Sequence, residues 1–526
     1  MPRPSSELPE EVELSLSLDE PEDPEHLAGL VARRLGLSPE QLPPLHIRRR
    51  AFDARRGRVS LRLRVALGAT PPPVGPAPRE VTRPQDVLVV GDGPAGLFCA
   101  WELARHGVGC TVLERGKRVQ PRRHDLKSLN REGLVDPDSN YCFGEGGAGT
   151  YSDGKLYTRA SKRGDVQDVL QTLVLNGAPE DILVDARPHI GSNRLPVVVS
   201  NLRERLEAVG VGFEFGARVT GLLVEGQGTS RRVAGVRLAG GMELAARAVV
   251  LATGHSARDV FELLAELGLP LEPKPFAVGV RIEHPQPLID RIQYGRDFRH
   301  PKLPAAAYTL TTQVDGRGVF SFCMCPGGFI VPAATSPGEL VVNGMSLKRR
   351  DSPFANSGLV VELSREDLAR AGDQGPLAGV SFQRRLERAA FAAGGGALRA
   401  PATRVEDFLA GRASTTVPAT SYQPGATATD LGVVLDAGLQ GLAGRLRQGI
   451  QQLDRVMRRF ASEALLLGVE SRTSCPVRVP RDPDTLQALG LLGLYPSGEG
   501  AGYAGGIVSA ALDGIRVAKA LLSGLG

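Results

Sequence analysis

Hydrophobic and polar positions divide the chain before any motif is read. Val12, Leu14 and Leu16 alternate with Glu13, Ser15 and Ser17, the period of a half-buried strand. The stretch PEHLAGLVARRLG (24–36) has helix-spaced apolar positions and stops at Gly36; Ser38 with Gln41 then signals a capping box for a short second turn. Val59, Leu61, Leu63 and Val65 alternate again with Ser60, Arg62 and Arg64, which predicts a hairpin turning near 53–57. These elements make a small α/β unit of residues 1–67. A stiff, extended Pro-rich linker, GATPPPVGPAPREVTRPQ, occupies 68–85. After it, the apolar run VLVV, a helical PAGLFCAWELARHG and a second strand CTVLER predict a β-turn-α-β unit reaching residue 115. Strand-like segments recur over 211–256 and dominate 274–363. Helices mix with loops over 364–470, and 491–522 reads as strand, Gly-rich turn and long helix.

Gly-x-Gly-x-x-Gly occurs three times, at Gly91/Gly93/Gly96, Gly144/Gly146/Gly149 and Gly500/Gly502/Gly505. Only the first lies between a strand and a helix. There the glycines permit a tight turn, close backbone approach to a pyrophosphate and close helix–strand packing. The helix that starts at Pro94 offers unpaired N–H groups, from Ala95 onward, to the anion. Glu114, with Arg115 beside it, ends the second strand and is placed to accept from a ribose hydroxyl; its charge disfavours a 2′-phosphate there.

Two later segments choose between dinucleotides. AVVLATG (248–254), with Thr253 and Gly254, and GLYPSGEG (493–500) resemble the second and third fingerprints of the glutathione-reductase-type FAD fold. In that fold a late strand returns beside the first and delivers an acidic residue to the flavin; here it carries Gly498–Glu499 where the resemblance leads one to expect Gly-Asp. A helix beginning at Gly505, Gly506 and Ile507 then points its N-terminal N–H groups at the ring, where negative charge develops on reduction. Val219 is placed with the cofactor contacts. A dehydrogenase using NAD alone needs neither return, so the expected cofactor is FAD, with NAD(P)H as a transient reductant. The Gly-rich segment 140–159 reads either as a surface loop or as a flavin-contacting loop. In the second reading Gly146, Gly147, Gly149, Thr150 and Ser152 approach the cofactor and Lys155 contacts an anion or the substrate.

Longer runs carry a more specific resemblance: FGEGGAGTYSDGKL, PHIG, LATGHSARD, KPFAVGVRIEHPQ, SFCMCPGG and PSGEGAGYAGGIVSAALDG. On these the chain resembles the uncharacterised FAD-dependent dehydrogenase family. The resemblance implies an α/β fold with a discontinuous Rossmann-like FAD-binding domain (86–273 and 471–526). It also implies a β-rich substrate domain with a helical part (274–470) and a small N-terminal α/β domain. The expected activity is hydride transfer between flavin N5 and an organic small-molecule substrate. A flavin monooxygenase and an FAD-containing redox sensor or partner-binding protein are the alternatives.

Candidate catalytic groups are Lys155, Cys323, Cys325, Arg281 and Tyr503. Cys323 and Cys325 stand two apart on an apparent strand, so both point the same way; they read either as an electron relay or as two small residues in a core. Arg281 reads as a carboxylate clamp or a structural ion pair, and Tyr503 as a flavin-face or packing residue. The six cysteines form no metal-type pair, and no metal is expected. Residues 1–67 hold many arginines but as many acidic residues, so no nucleic-acid partner is expected. No apolar run approaches the ~20 residues of a membrane span and no signal-peptide pattern opens the chain, so the expected location is cytoplasmic. The overall charge of +5 adds nothing to that picture.

Overall fold

A computed structural model describes residues 8–54, 59–68, 75–83, 86–158, 161–295 and 300–525. In the N-terminal unit the strand Glu11–Leu16 pairs antiparallel with Ser60–Leu67, which pairs in turn with Leu45–Asp53. The alternating Val12, Leu14 and Leu16 meet Leu27, Val31, Leu61, Leu63 and Val65 in one core. The helix Pro24–Leu35 opens with the Asp23 carboxylate accepting from His26 N and closes at Gly36 in the left-handed region. Most of the expected turn at 53–57 lies outside the described residues.

This unit is docked on the rest of the chain. Arg50 N donates to Val184 O at 2.9 Å, and Ala186 N donates to Arg50 O at 2.8 Å. Lys302 Nζ reaches Glu20 O at 2.5 Å. The Pro-rich segment is held down as well. Residues 69–74 and 84–85 lie outside the described residues, but Arg105 Nε donates to Pro76 O at 2.7 Å and Val81 N donates to Val209 O at 2.8 Å. Its described part is therefore a strap along the parallel sheet.

That sheet has five strands, in the order Leu494–Pro496, Ala248–Leu251, Val87–Val90, Thr111–Glu114, Gly212–Phe215, every pair parallel. The strands Val87–Val90 and Ala248–Leu251 are buried throughout, which is why they read as unbroken apolar runs. The helix Pro94–Arg105 packs against the closing helix Ile507–Leu525. A Cβ on Gly514 would stand 2.1 Å from Ala95 O, so only glycine allows this approach.

A seven-stranded sheet forms the other large layer. Its order is Thr311–Val314, Arg317–Cys325, Phe354–Leu363, Phe276–Pro285, Leu465–Glu470, Ala400–Arg404, Ala426–Ala428. The helices Ala378–Gly394, Leu431–Gly438 and Leu442–Val456 share its hydrophobic core. Three small antiparallel sheets complete the fold, one of Val219–Glu225, Arg232–Leu238 and Glu243–Ala245, one of Gly328–Pro332 and Val342–Ser346, and one of Glu272–Pro273 and Val477–Arg478. Among the described residues, no helix is long and apolar enough to cross a membrane.

Candidate functional site: a glycine-lined cradle beside a charged cleft

The strand ends of the parallel sheet converge on glycines. At Gly91, φ is 105° and a Cβ would meet Ala252 O at 2.4 Å; on Gly96 it would meet Gly91 O at 1.9 Å. Gly93 differs: no atom lies within 4 Å of a Cβ built there. Its open side faces the start of the Pro94–Arg105 helix, which no side chain caps. Free N–H groups and open space at a helix N-terminus are what a pyrophosphate requires. Gly254, Gly505 and Gly506 have the same open space, and the latter two precede the closing helix. The residues present therefore fit an extended dinucleotide with a ring at its far end.

The Gly-rich loop belongs to this cradle. A Cβ on Gly147 would touch Gly93 Cα at 3.1 Å, and one on Gly149 would touch Pro94 Cγ at 3.4 Å and Ile507 Cγ1 at 3.5 Å. Three segments distant in sequence thus meet at van der Waals contact. Thr150 is fully buried and its hydroxyl donates to Glu145 O at 2.6 Å; Ser152 Oγ donates to Gly149 O at 2.8 Å. Both hydroxyls shape the loop from within. Arg122, also fully buried, holds it by donating to Asn140 O, Glu145 O and Gly147 O at 2.8–2.9 Å. Nothing in the sequence marked Arg122 for this task.

Glu114 accepts from Gly116 N and Gly144 N on one oxygen and from Asp92 N on the other. One acceptor position remains for a ribose hydroxyl. Arg115 turns away to Asp138 and Asp259, at 2.8 Å and 3.0 Å. Val219 opens its strand in the core beside Leu113 and Leu251. Asp92 is fully buried; burial, then the charges of Glu114 and Glu145, push its carboxyl well above the usual range, against the Gly146 amide. Gly498 N donates to Asp513 Oδ2 at 2.8 Å, and Arg481 grips the same carboxylate from 2.6 Å. Asp513 lay unremarked within the SAALDG run. Tyr503 has its ring under the Arg481 guanidinium, 3.9 Å from the centroid, and also near Arg478, so it packs rather than presenting a free phenol face.

Facing the loop is a narrow cleft lined by Tyr141, Tyr151 and Ser152, by His255, and by Asn343 and Arg472 from the seven-stranded side. Burial lowers the His255 pKa, with Glu499 opposing, so the imidazole is neutral near pH 7. Arg472 belongs to a buried network that joins the two large domains. Its Nε and Nη2 bind Glu387 at 3.0 and 2.7 Å, and its Nη1 reaches Thr335 and Ser256. Arg258 binds Glu387 at 2.8 Å and Glu339 at 2.9 Å. Burial opposes the charge on Glu387, but the two guanidinium groups outweigh it and hold that carboxyl far below the usual range.

Two expectations are corrected here. Arg281 is not a substrate clamp. It is fully buried, with Nε on Glu470 at 2.5 Å and its terminal nitrogens on Asn343, Asn356 and Cys323 O, which leaves no donor fork facing a ligand. Cys323 and Cys325 do not share one strand face. The ladder slips between Phe322 and Cys325, Cys323 takes φ 47°, and Cys323 is exposed while Cys325 is fully buried. Both sulfurs still approach Lys155 Nζ, at 3.9 and 3.7 Å, and Asp153 Oδ2 lies 3.6 Å from the same nitrogen. Burial works against the Lys155 charge, but the sulfurs and Asp153 hold its pKa above the ordinary lysine value. Burial pushes the Cys325 thiol up to about 11, with Lys155 opposing.

Comparison with known proteins agrees with this geometry. The profile of an FAD-dependent protein, C-terminal domain-like, matches residues 275–473, and that of an FAD binding domain matches 84–127. A domain of unknown function matches 8–67. An uncharacterized protein of Clostridium beijerinckii is 43% identical over 442 residues, 83% of this chain and 80% of its own. Among solved structures, a geranylgeranyl bacteriochlorophyll reductase-like protein from Thermoplasma acidophilum is 13% identical, covering 84% of this chain and 80% of that one with a TM-score of 0.35. CtdE in complex with FAD is 11% identical, with 84% of each chain covered and a TM-score of 0.33. On the strength of the clostridial relative and the domain profiles, this chain belongs to the family of FAD-dependent proteins, and its cofactor is FAD.

Proposed function

We propose that this flavoprotein is an oxidoreductase that exchanges a hydride with an organic substrate held in the cleft between the Gly-rich loop and the seven-stranded domain. The observation that carries the reading is the meeting of Gly93–Pro94, Gly147–Gly149 and Ile507 at contact distance, with His255 and Arg472 lining the adjoining cleft. When bound, FAD supplies a ring that accepts or releases a hydride. The chain's residues do the rest. The N–H groups at the start of the Pro94–Arg105 helix hold the pyrophosphate, and Glu114 takes a ribose hydroxyl. The N-terminus of the closing helix favours negative charge at the ring. Tyr141 and Tyr151 wall the cleft against water, and Arg472, held in place by Glu387, closes it from the other side. The His255 imidazole N–H passes a proton to the substrate as the substrate gains a hydride, and the ring regains that proton from solvent.

NADH or NADPH is the transient reductant in this reading. The test is an anaerobic visible spectrum of purified protein before and after each nicotinamide is added. The expected result is a flavin spectrum that bleaches with one of the two. Turnover should fall in His255→Ala while FAD content stays unchanged. Oxygen consumption coupled to nicotinamide oxidation with substrate hydroxylation would make the protein a monooxygenase instead. A colourless protein that takes up no added FAD would sink the reading.

A further inference from the structure

A second cavity, of about 740 Å³, opens on the seven-stranded domain away from the glycine cradle. Its volume is that of a small-molecule site, in the range of roughly 300–1,000 Å³. Four of its lining residues are arginines, Arg187, Arg291, Arg458 and Arg459, and among the described residues no acidic one lines it. Among the described residues, Arg187 and Arg458 have no acidic partner, whereas most other arginines near the cleft are paired. Exposed arginines are ordinarily scattered or paired; here Arg459 pairs with Glu463 at 3.4 Å, while Arg187 and Arg458 leave open beside it planar donor forks suited to phosphate oxygens.

We propose that this groove binds a phosphate-bearing small molecule at a site separate from the glycine cradle. This binding does not rest on the oxidoreductase reading above. Two sources share this chemistry, a phosphorylated organic substrate and the phosphates of a pyridine nucleotide.

The test is calorimetric titration of FAD-saturated holoenzyme with inorganic pyrophosphate at low salt, beside the double variant Arg187→Gln/Arg458→Gln. Both side chains are exposed, so the variant should keep its flavin spectrum and melting temperature. The expected result is one saturable site whose affinity falls with added salt and drops about tenfold or more in the variant. Competition by NADPH but not NADH would assign the groove to the nucleotide's extra phosphate. Competition by both would assign it to the shared pyrophosphate, and competition by neither to a phosphorylated substrate. No saturable binding, or equal affinity in wild type and variant, overturns the proposal. Failure of either nicotinamide to reduce the flavin would weaken the oxidoreductase reading without touching this one, because binding is read as heat.

Discussion

The two walls of the cleft are built on opposite principles. On the cofactor side the chain withholds side chains: Gly93, Gly254, Gly505 and Gly506 leave space for a ligand. On the opposing side it supplies charge and then uses that charge internally, as in Arg258–Glu339–Glu387–Arg472 and Arg281–Glu470. The first wall is incomplete without its ligand. The second is complete within itself, so most of its arginines are struts between domains. Arginine near a flavin is therefore not by itself a substrate contact, and the unpaired arginines lie elsewhere.

Removing Glu387 should break this contrast most severely. Glu387→Ala leaves Arg258 and Arg472 buried with one fewer counter-charge, an expected loss of about 3–5 kcal/mol read by denaturant unfolding. An unfolding midpoint close to wild type would show that the network is not a strut. The glycines give the next largest effect and separate two roles within one motif. Gly96→Ala drives a Cβ into Gly91 O and should cost about 1–3 kcal/mol of apoprotein stability together with FAD. Gly93→Ala points a methyl into open space; the apoprotein should melt as wild type while FAD affinity falls about tenfold or more. Equal melting losses in both variants would contradict that division.

Asp92 sharpens the comparison through pH. Its carboxyl is raised in the fold, so the stability it contributes is fully present below its unfolded pKa and is lost as pH rises toward the folded value. Above the unfolded aspartate pKa of about 4, wild-type apoprotein should lose stability relative to Asp92→Asn as pH rises. Parallel pH profiles would place the ionised form there after all. The smallest effect concerns the cysteines. A thiol reagent at pH 7 should label the exposed Cys323 quickly and spare Cys325, whose thiol is pushed up to about 11. Cys323→Ser should abolish the fast phase with little change in melting temperature. Equal labelling of both would mean the slipped ladder at Phe322 is not what separates them.

The cradle was legible because its requirements are local. Gly91, Gly93 and Gly96 between an apolar strand and a helix state a backbone conformation, and the returns at 248–254 and 493–500 state that the same ligand is met again. The alternation at 12, 14 and 16 announced its strand for the same reason. What the Gly-rich loop touches was open until Gly147 was seen against Gly93, because that contact joins segments over fifty residues apart. Arg122 and Asp513 carried no signal, since a buried guanidinium or carboxylate looks like a surface one until its partners are assembled.

The chain by itself determined that it holds a dinucleotide, and that FAD suits its two later returns, because glycine placement and apolar period are properties of short segments. Only the tertiary structure decided which charged residues are free. Arg281, Arg258 and Arg472 are paired in the interior, Arg187 and Arg458 are left open around a cavity, and two cysteines two positions apart differ in burial. Pairing and burial depend on what distant segments bring to the same place, and no window of sequence contains that information.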